Sequence, residues 1–337
     1  MTSRAATGIR IRRFGTTDLM TSEFGLGCAR IGGIFKRDSA EFLRILSAAR
    51  DAGINFFDTA DMYSQGESES LIGRAFRSRR NEIVIASKAG YVLPSQRRLV
   101  ARLKPLVRPI VRALRLSRRH LPGAVRGALA QDFSPQHLRK ALEGSLRRLR
   151  TDRLDLFQLH SPPLDVVQPA DWIETLESLK REGKIRFYGV SCDAAEATLA
   201  ALRHDGLSSI QVPLSLLERA ALPALPIANA KGVGVIVRES LANGLLVKDL
   251  TLERVREYCE SDDEATAKAA KVQEYRQRAT SAGLTRTQFA LSYVSNLEGV
   301  SVTLVGVSRF DQLQSLLADG LPPAAADGAG GARPRFD

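Results

Sequence analysis

Four side chains stand at or just beyond the ends of three apolar runs. Asp58 closes INFFD, Tyr63 follows in the next turn, Lys88 closes IVIASK and His160 closes LDLFQLH. If these runs are parallel strands of one closed sheet, their C-terminal ends share a single mouth and the four groups converge there. Such a set suits proton transfer coupled to hydride transfer. A carbonyl that accepts hydride becomes an alkoxide, so the site must deliver a proton as charge develops. A phenol of pKa about 10 is a weak acid at neutral pH. An ammonium at Lys88 would favour the phenolate and is expected to lower the pKa of Tyr63. Asp58 would keep Lys88 charged and in place, and a neutral His160 could donate a hydrogen bond to the carbonyl oxygen.

Each residue has an ordinary reading when taken singly. A strand-end lysine is commonly a solvated or salt-bridged side chain, a strand-end aspartate often caps the following helix, and Tyr63 and His160 could be packing groups. Their placement on successive strand ends is what argues for chemistry, so the elements that place them matter. Eight candidate strands are read at 24–28, 54–58, 83–87, 154–159, 186–191, 209–212, 233–237 and 302–306. INFF, IVIA, LDLF and VGVIV are continuous apolar runs, as strands buried on both faces require. Helical patterns lie between them. Ser134-Pro135 opens one with Leu138, Leu142, Leu146 and Leu149 at helical spacing, the proline suiting a first turn. Trp172, Leu176 and Leu179 mark another. Eight such units predict an α/β fold, a (β/α)8 TIM barrel. GIRIRRFGTTDLM, ahead of the first unit, is expected to form a β-hairpin that closes the barrel floor.

The chain of 337 residues is read as a single barrel domain over 1–320, with 321–337, rich in Pro, Ala and Gly, as a disordered tail. The net charge of +12 at first suggests nucleic acid, but the segment 92–131 carries ten Lys/Arg and no acid, so one basic insert after strand 3 supplies most of the excess. Nucleic acid is therefore not expected as a partner. The insert reads as a solvated helical excursion, or as a lid rooted at the mouth whose charge would draw in an anionic substrate. Pro105 and Pro109 would break a continuous amphipathic helix there, so membrane docking is not expected. The segment 251–283, after strand 7, is charged and helix-prone. No run approaches the ~18–20 apolar residues of a membrane span. MTSRAATGIRIRRFG lacks the apolar core of a secretory signal, and Cys28, Cys192 and Cys259 form no disulfide framework, which suits the cytoplasm. The histidines, His120, His137, His160 and His204, lack metal-ligand spacing, so no metal is expected.

Beyond single residues, the sequence resembles the aldo-keto reductase family over about residues 10–318. GINFFDTADMYSQGESESLIGRA is similar to that family's segment around its aspartate and tyrosine, and VIASKAG to its lysine strand. SPQHLRKALEGSLRRLRTDRLDLFQLHSP resembles its helix-plus-histidine segment, and LKREGKIRFYGVS its next strand. The resemblance implies a catalytic tetrad of Asp58, Tyr63, Lys88 and His160 with Tyr63 as general acid/base. It also implies NADP(H) held without a dinucleotide-fold loop; GLGCAR, indeed, fails the G-x-G-x-x-G pattern at its third glycine. By the same resemblance Gly27, Cys28, Ala29 and Asp58 would approach the cofactor, Ser191 and Gln211 would hold the nicotinamide carboxamide, and Gly306, Ser308, Arg309 and Gln312 in LVGVSRFDQL would hold the adenosine 2′-phosphate. VIVRESLANGLL would contribute Arg238, Glu239, Ser240 and Leu241. The chain departs from the family pattern at Cys192, where an Asn is usual, at Arg238, where an aromatic commonly stacks on the nicotinamide, and at Leu316, where an adenine-side Asn is expected. A planar guanidinium can also stack.

The activity this implies is NADPH-dependent reduction of an aldehyde or ketone to an alcohol, with a small carbonyl or alcohol substrate as partner. The same tetrad would serve an NAD(P)-dependent aldose or sugar-alcohol dehydrogenase. A redox-sensing subunit that keeps the cofactor pocket but scarcely turns over is the reading from another class. Nothing in the sequence specifies an oligomeric state.

Overall fold

A computed structural model describes residues 3–4, 8–31, 39–92, 130–249 and 251–322. Its chain opens with a small antiparallel sheet, β1 (Ser3–Arg4), β2 (Arg10–Arg13) and β3 (Met20–Ser22), in which β2 and β3 are the expected hairpin and β1 adds a third strand. Eight parallel strands follow: β4 (Phe24–Gly27), β5 (Phe56–Asp58), β6 (Val84–Ala89), β7 (Leu154–His160), β8 (Ile185–Ser191), β9 (Ser209–Pro213), β10 (Gly234–Arg238) and β11 (Val300–Gly306). They close in the order β10-β11-β4-β5-β6-β7-β8-β9. The (β/α)8 barrel and its hairpin are thus present. Strand limits differ from the sequence reading by a few residues at most; the main consequence is that Lys88 lies within β6 rather than just beyond it.

Because side chains alternate between the two faces of a strand, the register decides what fills the barrel. Asp58 pairs laterally with Ala86, Lys88 with Gln158, His160 with Ser191, and Ser191 with Gln211. One layer inside is apolar, with Phe56, Ala86, Leu156, Ile236 and Leu304 in one buried cluster. Two residues further along each strand the same inward face carries Asp58, Lys88, Gln158 and Arg238. The intervening residues point outward; Phe57 packs against Phe76 and joins the larger core between strands and helices.

The hairpin seals the opposite end. Phe14 is fully buried in the inner cluster and stacks on Phe56 at 6.1 Å. A Cβ on Gly234 would come within 2.3 Å of the Phe14 ring, so only glycine lets the plug seat there.

Outside the barrel, the helix Pro135–Leu149 begins as read: Ser134 Oγ accepts from the His137 amide at 3.3 Å, and Leu138, Leu142, Leu146 and Leu149 are its buried stripe. The helix Asp171–Arg181 buries Trp172, Leu176 and Leu179. The charged excursion after β10 folds as Leu252–Arg256 and Asp262–Ser281, the longer helix burying only Ala265, Val272 and Ala279. Most of the basic insert, 93–129, and the tail 323–337 lie outside the described residues. The roots of the insert do not: Tyr91 bridges Gln131, and the Val92 amide donates to the Ala130 carbonyl at 2.8 Å. No helix among the described residues is long and apolar enough to cross a membrane.

Candidate active site

Asp58, Lys88 and His160 are carried inward at the C-terminal ends of β5, β6 and β7, as period-2 alternation from the apolar layer demands. Tyr63 reaches the same place from the turn after β5. That turn is conformationally costly. Ser64 (φ 50°, ψ 32°) and Gln65 (φ 61°, ψ 44°) are left-handed non-glycine residues and are followed by Gly66 at φ 83°. Ser64 Oγ compensates by donating to the Ile31 carbonyl at 2.8 Å. Ser161, Glu239, Ala242 and Asn243 share the left-handed region, so six of the eight such residues described lie around this mouth. Strain of this kind persists where the surroundings impose it, and it gathers at functional sites.

Lys88 Nζ donates to Asp58 Oδ2 at 2.7 Å and to the Thr59 carbonyl at 2.9 Å, and it is fully buried. The Tyr63 phenol is its near neighbour, with Nζ 5.2 Å from the ring centre, and interacts with it electrostatically. Burial pulls the lysine pKa down, but Asp58 and Tyr63 together outweigh it and leave the ammonium more stable than usual. Since an ammonium can only donate, the phenol oxygen can meet it only as an acceptor, which leaves the phenol's own proton to point elsewhere.

The phenol itself departs from the sequence reading. Its pKa lies above the ordinary value, not below: burial pushes it up, Lys88 pulls it down, and Asp58 pushes it up again. Sequence spacing showed the ammonium but not the cost of burying the phenolate, nor how far the adjacent carboxylate cancels the ammonium's field. His160 is neutral, because burial first, then Lys88 and Arg238, hold its pKa well below the usual imidazole range. Its ring is held by packing. Tyr63 lies edge-on at 5.6 Å and Tyr91 at 4.9 Å, while Nδ1 is buried without a hydrogen-bond partner. Gln131 Nε2 donates to the carbonyls of His160 (3.3 Å) and Ser161 (2.8 Å), so the C-terminal root of the insert is tied to the end of β7.

A cavity of about 700 Å³ runs from this cluster across the mouth. Of the residues expected to contact a cofactor, Gly27, Ala29, Asp58, Ser191, Gln211, Arg238, Glu239, Ser240, Leu241, Gly306, Arg309 and Gln312 line it, as does Leu316. Cys28 and Cys192 do not. Each directly follows an inward residue, Gly27 or Ser191, and so turns outward into the core, where burial raises its thiol pKa, that of Cys192 to about 12. Ser308 is also set back, its amide and hydroxyl donating to Gln312 Oε1 at 2.9 and 3.2 Å. Residues the sequence reading missed include Arg30, Asp193, Asn243 and Lys248. Lys248 feels the charges of Arg254, Arg30 and Arg309 after the larger effect of burial, which places a group of cations at the end remote from His160. The signal available was proximity to known strand ends: Asp193 follows Ser191-Cys192, and Lys248 closes the loop begun by Arg238.

Gln211 Nε2 donates to Asp58 Oδ1 at 2.8 Å, and Ser191 Oγ donates to Gln211 Oε1 at 3.1 Å. A carboxylate accepts only, so Asp58 fixes which way the Gln211 amide faces. What Ser191 and Gln211 keep in reserve are acceptor lone pairs, the complement of an amide NH2. The far end, with Arg30, Lys248 and Arg309, complements phosphate.

A family model described as the aldo/keto reductase family matches residues 23–320. The chain belongs to the aldo-keto reductase family. Members of this family are oxidoreductases that use nicotinamide cofactors and bind small carbonyl substrates. An uncharacterized oxidoreductase of Bacillus subtilis, YqkF, is 30% identical over 311 residues, covering 91% of this chain and 89% of that protein. Among solved structures, an aldo-keto reductase from Bacillus halodurans in its holo form superposes with a TM-score of 0.70 at 27% identity, covering 94% of this chain and 93% of that one. A glycerol dehydrogenase from Gluconobacter oxydans gives 0.72 at 26% identity, covering 96% and 93%. For an aldo-keto reductase, the donor set above fits the expected cofactor: acceptors for a carboxamide beside Asp58, and cations for phosphates at the other end.

Proposed function

We propose that this aldo-keto reductase reduces an aldehyde or ketone to an alcohol with NADPH, Tyr63 supplying the proton. The observation that carries the reading is the buried Lys88 between Asp58 and the Tyr63 phenol, beside a neutral His160. The bound dinucleotide supplies the hydride. Ser191 and Gln211 would accept from its carboxamide, and the planar guanidinium of Arg238 would cover the ring. His160 donates to the substrate oxygen and orients it. Tyr63, beside Lys88, gives its proton to that oxygen as negative charge develops, and Lys88 then stabilises the phenolate. The raised pKa keeps Tyr63 protonated through neutral pH, the form a reductase needs. Oxidation of an alcohol needs the phenolate instead, and that second reading, an aldose or polyol dehydrogenase, is supported by the likeness to a glycerol dehydrogenase. Incubating the protein with NADPH or NADH and a panel of carbonyls, and with NADP+ and polyols, tests both; absence of turnover with every pair would favour a cofactor-sensing subunit instead.

Preference for NADPH rests on Arg309, supported by Lys248 and Arg30. Arg309 is paired with Asp311, Nη2 to Oδ2 at 2.8 Å, so a 2′-phosphate must compete with that carboxylate. Arg309→Ala is expected to weaken NADPH binding by about 1.5–3 kcal/mol, the scale of a charged hydrogen bond, with NADH little changed. Equal losses for the two in a fluorescence titration would remove Arg309 from the 2′-phosphate site.

Tyr91 acts through His160. Tyr91→Ala removes the edge contact that sets the imidazole plane and is expected to lower kcat roughly tenfold or more, since small displacements of catalytic groups are costly. Tyr91→Phe keeps the edge and should keep kcat. Loss in both variants, or in neither, would disprove this positioning role.

A further inference from the structure

At the His160 end, the titratable groups lining the cavity are Asp58, Tyr63, His160, Asp193, Arg238 and Glu239. The first three leave no net charge there: Asp58 is matched by Lys88, the phenol is protonated and the imidazole is neutral. The other three do not balance. Arg238 Nη2 donates to the Asp193 carboxylate and, at 3.2 Å, to the Cys192 carbonyl, while Nη1 donates to the Glu239 carboxylate. Asn243 Nδ2 holds the other Glu239 oxygen at 3.1 Å. Asp193 comes from the loop after β8, and Glu239 from the end of β10 in a left-handed conformation at φ 60°. Two carboxylates from separate strand ends therefore meet one guanidinium, and one negative charge is left over. Arg238 is close enough to act on both Tyr63 and His160, so the cluster it holds together stands at the reacting end and not among the remote cations.

We propose that Asp193 and Glu239, opposed by Arg238, weight this site toward the oxidised form of its cofactor and so set the reduction potential of the bound couple. The proposal rests on the dinucleotide reading above. The two forms of the cofactor differ by one hydride: taking a proton and two electrons from the neutral dihydropyridine leaves a ring with one positive charge, and the phosphates are unchanged. Arg30, Lys248 and Arg309 therefore act equally on both forms. Only charge beside the ring discriminates between them. A net negative charge there stabilises the cationic ring, which makes the bound reduced form a stronger hydride donor. Each tenfold change in relative affinity is about 30 mV in a two-electron potential.

The test is equilibrium binding of NADP+ and of NADPH, without substrate, to the full chain at low ionic strength. Asp193→Asn and Glu239→Gln keep shape and remove charge from half-exposed or exposed side chains, so folding should be undisturbed. Each is expected to raise the ratio of the NADP+ to the NADPH dissociation constant by roughly 3- to 10-fold, as for a unit charge removed across a partly screened site. Arg238→Met is expected to move the ratio the opposite way by a similar factor. A purely structural role would change both constants together and leave the ratio alone. Ratios unmoved by the acid variants, or moved in the same direction by Arg238→Met, would overturn the proposal while the dinucleotide reading stands. Failure of the wild-type protein to bind either form would overturn both.

Discussion

Tyr63→Phe is expected to reduce turnover by about 10²–10⁴-fold, the usual contribution of a positioned general acid/base, while the affinity for nucleotide stays near that of the wild type. The replacement removes one oxygen from a group that lies beside Lys88 and faces His160, and leaves the ring, the left-handed turn behind it and the Asp58–Lys88 pair in place. The sign of the pH dependence follows from the raised pKa of the phenol. The protonated form is the donor for reduction and persists beyond the ordinary value of about 10, so kcat for reduction should be flat through neutral pH and fall only in strong alkali. Any alcohol oxidation should do the reverse and gain with pH as phenolate forms. A Tyr63→Phe enzyme with undiminished turnover would remove Tyr63 from the mechanism, and a reduction rate that falls between pH 7 and 9 would mean that the phenol is acidified after all.

The second large effect is on stability. Lys88→Met leaves the buried Asp58 carboxylate with only the Gln211 amide as a side-chain donor, because the 2.7 Å contact from Nζ is lost inside a fully buried site. Breaking one side of a buried pair typically costs about 3–5 kcal/mol, most of it from the charge left behind. Replacing both partners, as in Asp58→Leu with Lys88→Met, should restore much of that loss while the protein stays inactive. Denaturant titration of the three proteins decides the matter. If Lys88→Met unfolds at the wild-type midpoint, the pair does not constrain this end of the barrel. If the double variant is no better than the single, the loss comes from packing and not from the stranded charge.

Much of this was legible in the residues themselves. Continuous apolar runs such as IVIA and VGVIV read as strands covered on both faces, and eight candidate strands separated by helical stripes leave few architectures other than a closed barrel. With the strand ends located, period-2 alternation carries Asp58, Lys88, His160, Ser191 and Gln211 to one mouth without further information. The same rule, applied strictly, would have turned Cys28 and Cys192 away from the cavity, since each directly follows an inward residue.

Tertiary structure alone decided what depends on how deeply a group is buried and on which distant groups surround it. The direction of the Tyr63 pKa is a contest between desolvation, Lys88 and Asp58, and only packing states how dry the phenol is. Asp193 and Glu239 are 46 residues apart in number, yet they meet on one guanidinium because β8 and β10 flank β9 in the closed order. Arg30, Lys248 and Arg309 gather in the same way from three separate strand-to-helix connections. A sequence pattern reports which face of its own element a residue occupies. Electrostatic neighbourhoods are sums over elements, and those sums exist only once the barrel has closed.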